Sequence, residues 1–220
     1  MEKNWTQTKK PAFDRKGAEQ MNEIAQTIFA PIYPVIAQQA LNATGISQGL
    51  CLDIGSGPAM LAMAVAHKAP EMQVIAVDFS DDSLMIAKEN IKNAHLEDRI
   101  SAQKGDVHHL PFADGHVHLI VSRGSMFFWK DLLDAFQEMY RVLAPGGAAY
   151  IGGGFGSLEL REQVAAVMLK RDPTWDCHVK KKTDDEKIAR FRDMFREIGC
   201  NTYQIINNDT GFWLLFFKTT

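Results

Sequence analysis

Three carboxylates, each at the end of an apolar run, give this sequence its clearest chemical signal. Asp53 precedes the turn Gly55-Ser56-Gly57, Asp78 ends the next apolar run, and Asp106 follows the third. A glycine turn between a strand and a helix lets backbone N–H groups approach a ligand closely. A carboxylate at the second strand end can accept both hydroxyls of a ribose, while Asp106 and Val107 suit the edge and face of a purine. The pattern predicts a nucleoside site, and adenosine carrying an amino acid fits it.

Dinucleotide and triphosphate sites fit this turn less well. The dinucleotide fingerprint has a third glycine for close packing of helix on strand, and Met60 stands at that position. The turn is also followed by no Lys-Ser or Lys-Thr pair of the kind that completes a phosphate-binding loop. An NAD-dependent or nucleotide-sugar enzyme on a similar sheet therefore stays an alternative that Met60 disfavours.

The elements that position these carboxylates alternate between short apolar runs and longer amphipathic stretches. Alternation of this kind predicts a parallel sheet covered by helices on both faces. Five runs predict its parallel strands: 50–54, 72–77, 100–103, 116–122 and 148–151. Two further runs, 201–206 and 212–218, are separated only by a turn and must form an antiparallel hairpin. The fold class is α/β: a mostly parallel, seven-stranded Rossmann-like sheet with a C-terminal antiparallel hairpin.

The helix pattern divides the chain into an N-terminal helical segment and a core. Apolar residues recur at helical spacing from Ala18 to Ile28 and from Val35 to Leu41, with Pro31 and Pro34 breaking the pattern between them. We predict two helices joined by a proline corner. Residues 1–48 form a helical lid in this interpretation, and residues 49–220 form the core of a single compact protein. Thr183 to Glu186 resembles a capping box that starts the last helix.

Composition excludes several function classes. The 220 residues include 24 Lys and Arg against 27 Asp and Glu, a formal net charge of -3 without a basic face, so no nucleic-acid partner is expected. The three cysteines are far apart and favour neither a disulfide framework nor a zinc ribbon. The sequence has no signal-peptide pattern and no run of 18 apolar residues, so a cytoplasmic protein without a membrane span is expected.

Five ordered motifs resemble those of a known enzyme family. They are LCLDIGSGPAM, VIAVDFS, KGDVHHLPF, HLIVSRGSMFFW and RVLAPGG. In this order and spacing they resemble the class I S-adenosylmethionine (SAM) dependent methyltransferases, in the branch that includes the quinone C-methyltransferases. The resemblance covers roughly Leu50 to the C-terminus. It implies SAM as cofactor, S-adenosylhomocysteine as product, and transfer of a methyl group to a small-molecule acceptor.

The resemblance also implies a set of cofactor-binding residues. The methionine part of SAM would lie among the residues of the first motif, the ribose on Asp78, and the adenine on Phe79 with its edge at Asp106 and Val107. The full set is Asp53, Gly55, Ser56, Gly57, Asp78, Phe79, Asp106, Val107 and Ser122. Ala59 replaces the usual third glycine of the family, and we expect little loss because alanine suits a helical position.

The acceptor side is less clearly marked. Arg123 follows the fourth strand, where a guanidinium suits a carboxylate or phosphate substrate or a salt bridge to a neighbouring helix. Phe128, Trp129 and Phe155 are candidate substrate contacts, although three consecutive aromatic residues are more often core. Tyr33, Arg123 and His109 are the catalytic candidates, with lid packing as the alternative for Tyr33.

Four histidines, His108, His109, His116 and His118, suggest a metal cluster, but their spacing completes no ligand set and no metal is expected. Methyl transfer from a sulfonium is an in-line displacement that depends mainly on alignment, so a strong base is optional. The acceptor atom and the oligomeric state stay open. A SAM-binding regulatory or partner protein without catalytic activity is the alternative function.

Overall fold

A mostly parallel seven-stranded sheet forms the centre of the molecule, as predicted. The computed structural model describes residues 14–175 and 184–219. Its strands are β1 (Gln48–Ile54), β2 (Glu71–Asp78), β3 (Ile100–Lys104), β4 (Val117–Arg123), β5 (Leu143–Gly154), β6 (Thr202–Asn208) and β7 (Gly211–Phe217). The spatial order is β3-β2-β1-β4-β5-β7-β6. Strands β1 to β5 are parallel, while β7 is antiparallel to both β5 and β6.

Helices cover both faces of this sheet. They are α1 (Arg15–Thr27), α2 (Ile32–Thr44), α3 (Met60–Lys68), α4 (Asp81–Asn93), α5 (Leu132–Val142), α6 (Leu158–Arg171) and α7 (Asp185–Glu197). Buried residues of α1 to α4 and α6 belong to one hydrophobic cluster, and those of α5 and α7 belong to a second. Because both faces are covered, the central strands are continuous apolar runs rather than alternating ones.

Helix starts follow local capping chemistry. Ser80 caps α4, its side chain accepting a hydrogen bond from the Ser83 N–H. Asp184 caps α7 by accepting from Lys187 N–H, so the cap lies one residue after the predicted Thr183, which is outside the described residues. The helix α2 begins at Ile32, which places Tyr33 and Pro34 inside its first turn. The prediction that Pro34 lies between the helices was wrong, because proline is tolerated in the first turn.

The N-terminal helices are bound to the core at several points. The side chain of Gln39 on α2 donates to the Gly156 carbonyl over 2.8 Å, and α2 buries six residues. Helix α1 buries only Ala18 and Ala25, and its Gln26 donates to Asn90 on α4 over 2.8 Å. These contacts describe how the two helices sit on the core, while the division into lid and core stays a prediction.

Strand β5 is longer than predicted. It begins at Leu143 and ends at Gly154, whereas the predicted run covers only 148–151. Its glycine run permits a close strand contact, since a Cβ on Gly152 would lie 2.1 Å from the Phe212 carbonyl oxygen. Gly152 therefore allows β7 to pair closely with β5. Within the described ranges, no helix is long and apolar enough to span a bilayer.

Candidate functional site

The carboxyl ends of the parallel strands meet at one edge of the sheet, and the predicted site residues are placed there. Asp53 lies near the end of β1, Asp78 ends β2, Asp106 follows β3 and Arg123 ends β4. Strands β1, β2 and β3 follow one another toward one edge of the sheet, whereas β4 and β5 lie on the other side of β1. The direction in which strands are added therefore reverses between β1 and β4. Open α/β sheets bind ligands in the crevice at such a reversal.

Backbone hydrogen bonds fix the glycine turn between β1 and α3. The N–H groups of Gly55 and Ser56 both donate to the Val77 carbonyl, over 2.8 and 3.1 Å. The Gly57 N–H donates to Asp78 Oδ2 over 2.9 Å. Gly57 has φ 51°, and a Cβ built on it would meet no atom within 4 Å. The turn is thus held rigidly to the end of β2 and has open space beside Gly57.

Ala59 does not occupy a helical position, so the stated reason for expecting little cost there was wrong. It is the residue before α3 and has φ 64° and ψ 22°, in the left-handed region. Alanine in that conformation is less favourable than glycine by roughly 1 kcal/mol or more, because its Cβ crowds the following carbonyl oxygen. The residue is fully buried, so packing of the turn holds it there.

The hydroxyl of Ser56 is a buried polar group without a protein partner. Within the described part of the chain, its Oγ is the buried side-chain polar atom that makes no hydrogen bond. A buried hydroxyl without a partner costs roughly 1 to 3 kcal/mol, so such an atom at a glycine turn points to a polar ligand. This observation fits the polar methionine part of SAM, which the resemblance places among these residues.

Two buried carboxylates lie beside that turn. Asp53 Oδ2 accepts from the Ala62 N–H over 2.9 Å, and burial raises the pKa of Asp53 to about 7, with a smaller increase from the Asp78 charge. Asp78 accepts from Gly57 and Ser80 N–H groups, both over 2.9 Å, and burial raises its pKa above the ordinary value. Buried negative charge at this edge favours a cationic ligand, and a sulfonium with an ammonium group fits it.

The loop after β3 presents Asp106 to solvent and buries Val107. Asp106 Oδ1 accepts from the His108 N–H over 3.0 Å and lies 2.6 Å from His108 Nδ1. The N–H of His108 and then its ring keep the pKa of Asp106 below the ordinary value. Arg141 and Glu138 of α5 anchor the same loop, because Arg141 donates to the Leu110 and Phe112 carbonyls and Glu138 accepts from Leu110 N–H.

Ser122 joins the ends of β1 and β4. Its hydroxyl donates to the Ile54 carbonyl over 2.7 Å and lies 2.6 Å from Ser125 Oγ. Ser125 also donates to Ile54, and it fills the space where a Cβ on Gly55 would lie. Ser122 is fully buried, and its hydrogen bonds connect the end of β4 to the end of β1 just before the glycine turn.

Arg123 lies in a cage of aromatic side chains under the N-terminal helices. Its guanidinium carbon is 4.7 Å from the ring centroid of Phe29, 5.5 Å from that of Tyr33 and 5.7 Å from that of Phe155. Its Nε donates to the Gly154 carbonyl over 3.1 Å. Tyr33 is buried, and burial raises the pKa of its phenol, with a further increase from the Asp53 carboxylate nearby. The cage is therefore within electrostatic range of the glycine turn.

Other predicted acceptor-side residues lie elsewhere. His109 is exposed on the loop after β3, where its N–H donates to the Asp106 carbonyl and its ring is near Glu138. In residues 14–175 and 184–219, no hydrogen bond or ion pair joins His109 to Tyr33 or Arg123. Trp129 packs against the second hydrophobic cluster, and the Phe128 side chain is 37% exposed.

The structure also shows the positions of His116, His118 and Phe79. The His118 ring accepts from Leu50 N–H over 3.1 Å, and His116 is exposed just before β4. Over the described residues, no group of three His, Cys, Asp or Glu side chains is arranged to hold a metal. Phe79 is 53% exposed beside Asp78, where a planar ligand can reach its ring.

Sequence reasoning missed three residues of this edge. Phe29 was not singled out because a phenylalanine before a proline corner has no distinctive spacing. Asn90 was not singled out because one asparagine on a helix carries no motif, yet it donates to the Pro58 carbonyl and to Asn22 on α1, both over 2.9 Å. The role of Ser125 depends on a contact across the turn that no local pattern contains.

Comparisons with known proteins agree with this geometry. Residues 51–147 match a family model described as a methyltransferase domain. The chain is 46% identical to a Methanococcus maripaludis protein of known crystal structure, provisionally described as an S-adenosyl-L-methionine-dependent methyltransferase. That match covers 98% of each chain, with a TM-score of 0.90.

Two curated relatives match over shorter stretches. One is the malonyl-[acyl-carrier protein] O-methyltransferase of Geobacter sulfurreducens, 31% identical over 72% of this chain and 60% of the relative. The other is the demethylmenaquinone methyltransferase of Lactiplantibacillus plantarum, 34% identical over 44% of this chain and 40% of the relative. The chain thus spans about half the length of these curated relatives. From its similarity to the Methanococcus maripaludis protein over 98% of both chains and from the arrangement of its strand ends, the chain belongs to the class I SAM-dependent methyltransferases, whose cofactor is S-adenosylmethionine.

Proposed function

We propose that this protein transfers a methyl group from S-adenosylmethionine to a small-molecule acceptor. The observation that carries the proposal is the unpartnered buried hydroxyl of Ser56, at a glycine turn flanked by the buried carboxylates Asp53 and Asp78. A polar, cationic ligand satisfies all three groups. A phosphate-bearing dinucleotide would instead bring negative charge toward two buried acids.

The chain's residues can hold the cofactor without rearranging the turn. Asp78 accepts from the backbone N–H groups of Gly57, Ser80 and Phe79, and a carboxylate has about four acceptor sites, which leaves room for a ribose hydroxyl. Phe79 would pack on the adenine, while Asp106 and the Val107 backbone would bind its edge. Asp53 would balance the positive charge of the methionine part, which would lie beside Ser56.

Bound S-adenosylmethionine supplies an electrophilic methyl group on a sulfonium sulfur. The protein's part is then to align an acceptor behind that group and to exclude water. Tyr33 is protonated near neutral pH because burial raises its pKa, so it donates a hydrogen bond rather than acting as a base. His109 shares no contact with Tyr33 or Arg123 in the described residues, so we assign it no proton transfer. An acceptor that ionises by itself suits this arrangement.

The relatives leave the acceptor open. They are named for two unlike substrates, a malonyl acyl-carrier protein and demethylmenaquinone. The net charge of -3 without a basic face supports a small molecule over a nucleic acid.

Calorimetric titration with SAM, with NAD as the matched control, tests the cofactor. We expect micromolar binding of SAM and none of NAD, followed by release of S-adenosylhomocysteine in a screen of thiol, amine, phenol and carbon acceptors. NAD binding without SAM binding would contradict the proposal. SAM binding without turnover of any acceptor would favour the alternative, a SAM-binding regulatory or partner protein, in line with the lack of a base beside Arg123 among the described residues.

A further inference from the structure

The guanidinium of Arg123 carries a positive charge that the described protein does not neutralise. No Asp or Glu oxygen lies within 4.0 Å of it across residues 14–175 and 184–219. Of its five N–H donors, the one on Nε binds the Gly154 carbonyl. Of the possible acceptors for the four N–H groups on the terminal nitrogens, the Tyr33 hydroxyl lies close enough to interact, and no carboxylate or carbonyl oxygen of the described chain accepts from them. Burial disfavours such a charge, as the lowered pKa of Arg123 indicates.

The surroundings of this charge are apolar on three sides. Phe29, Tyr33 and Phe155 place their rings within 6 Å of the guanidinium carbon, and all three belong to or pack against the first hydrophobic cluster. Ring faces attract a cation but supply no hydrogen-bond acceptor. Apart from the neutral Tyr33 hydroxyl, the terminal N–H groups therefore lack the charged partners that a structural arginine has elsewhere in this fold. Arg141, by comparison, binds Glu138, Asp114 and two carbonyls.

We propose that Arg123 is a specificity-determining residue that binds a carboxylate on the methyl acceptor, so that the acceptor is a small carboxylic acid with an apolar body. This inference rests on the proposed function. The parallel N–H groups of a guanidinium match the two oxygens of a carboxylate, and the aromatic rings match an apolar body. A single negative charge balances the single cation. A phosphate monoester carries about two charges and would leave one unbalanced near Asp53.

The position of the cage suits this role. Arg123 ends β4 next to β1, which carries Asp53, and Phe155 directly follows β5. The Asp53 charge acts on Tyr33, so the cage adjoins the cofactor turn. A carboxylate bound to Arg123 would hold the rest of the acceptor beside that turn.

Calorimetry on protein saturated with S-adenosylhomocysteine tests the assignment. The probes are benzoate, phenylacetate and butyrate, each paired with its neutral amide, plus phenyl phosphate. In the wild type we expect at least one carboxylate to bind about tenfold or more tighter than its amide, the ratio for a lost charge-assisted hydrogen bond. In Arg123→Gln we expect the ratio to fall toward one. The exposed arginine variant Arg192→Gln is the matched control and should keep the wild-type ratio.

Several outcomes would overturn the proposal. They are equal binding of acids and amides by the wild type, an unchanged ratio in Arg123→Gln, no binding by any carboxylate at about 10 mM, or phenyl phosphate binding more tightly than every carboxylate. The ratio separates recognition from folding, since a merely structural arginine would lower the melting temperature without changing acid-to-amide selectivity. Titration with S-adenosylhomocysteine alone reports separately on the proposed function, and the probe titrations repeated without it still report on Arg123.

Discussion

Asp53, Ser56 and Asp78 illustrate how a binding turn keeps polar groups that the fold itself does not need. Burial raises the pKa of both carboxylates, and the Ser56 hydroxyl has no partner among the described residues. Each feature costs folding free energy in the free protein and is compensated when a polar cation binds. Removing one of these polar groups should therefore raise the stability of the free protein while lowering its affinity for the ligand.

Ser56→Ala should raise the melting temperature slightly while weakening SAM binding. Alanine removes the unsatisfied hydroxyl, which costs roughly 1 kcal/mol or more in the free protein, and also removes the group that a polar ligand would bind. Thermal denaturation and calorimetry on the same sample measure both effects. A variant that loses stability and keeps its SAM affinity would contradict this account of the turn.

Asp53→Asn should gain stability relative to the wild type as the pH rises from 5 to 7, and weaken SAM binding. The unfolded carboxyl titrates near 3.8 and the folded one near 7, so between these values the folded protein binds one more proton. Wild-type stability therefore decreases with pH across that window, by up to about 1.4 kcal/mol per unit, while asparagine does not titrate. Melting temperatures at pH 5, 6, 7 and 8 check the sign. A pH-independent difference would argue against the raised pKa.

Asp78→Asn should weaken SAM binding about tenfold or more, because a neutral amide is a poorer acceptor for ribose hydroxyls and keeps only one of the two oxygens that accept from Gly57 and Ser80. Calorimetry with SAM measures the loss. Asp82→Asn makes the same chemical change on the first turn of α4 and should leave the affinity unchanged. Equal affinities of the two variants would remove Asp78 from the cofactor site.

At the scale of elements, the contact between β5 and β7 sets the position of the site's outer edge. Gly152 pairs with Trp213, and Gly154 pairs with Gly211, so the strands approach where side chains are missing. The loop that follows β5 carries Phe155 into the Arg123 cage and Gly156 against Val35 of α2. The glycine run thus allows the close strand packing that brings an aromatic ring to Arg123.

Gly152→Ala should destabilise the protein by about 3 kcal/mol or more, because its Cβ would lie 2.1 Å from a backbone oxygen that cannot move without breaking strand pairing. Gly199→Ala is the matched control, since Gly199 has φ 72° with no atom within 4 Å and should cost only about 1 to 2 kcal/mol. Denaturant unfolding measures both. Similar losses of unfolding free energy for the two variants would show that the close contact between β5 and β7 does not determine the effect of Gly152→Ala.

At the scale of the whole molecule, the two N-terminal helices are attached unequally. Helix α2 buries six residues and contacts α3 closely, whereas α1 buries two and is held mainly by hydrogen bonds and by the pair of Glu23 with Arg171, at 2.7 Å. Exposed ion pairs add little stability. If these helices act as a lid, α1 is the part that opens first.

Hydrogen exchange should show that amides of α1 open at a lower free energy than those of α2, which should exchange with global unfolding of the core. Mass spectrometry of peptides covering 15–27 and 32–44 makes the comparison. Bound SAM should raise protection in both, since the Pro58 loop is tied to α1 through Asn90. Equal protection of the two helices in the free protein would contradict a separately opening α1.

The sequence by itself determined the alternation of strands and helices, the terminal hairpin and the carboxylates at the strand ends. These features are local: apolar periodicity, glycine turns and caps act over a few residues, and strand ends in a parallel sheet share one edge. The family resemblance followed from the same local motifs. The expectation for Ala59 failed because a single backbone angle at the start of α3 depends on how the turn packs.

Only the tertiary structure decided which side chains meet at that edge. Phe29 and Tyr33 are far along the chain from Arg123 and from Phe155, and their contact depends on how α2 lies on the sheet and where β5 ends. The hairpin's orientation, with β7 rather than β6 next to β5, is likewise settled by packing across the sheet. Contacts between distant segments arise from burial and shape, which no local pattern contains, and this is why the aromatic surroundings of Arg123 are known only from the tertiary structure.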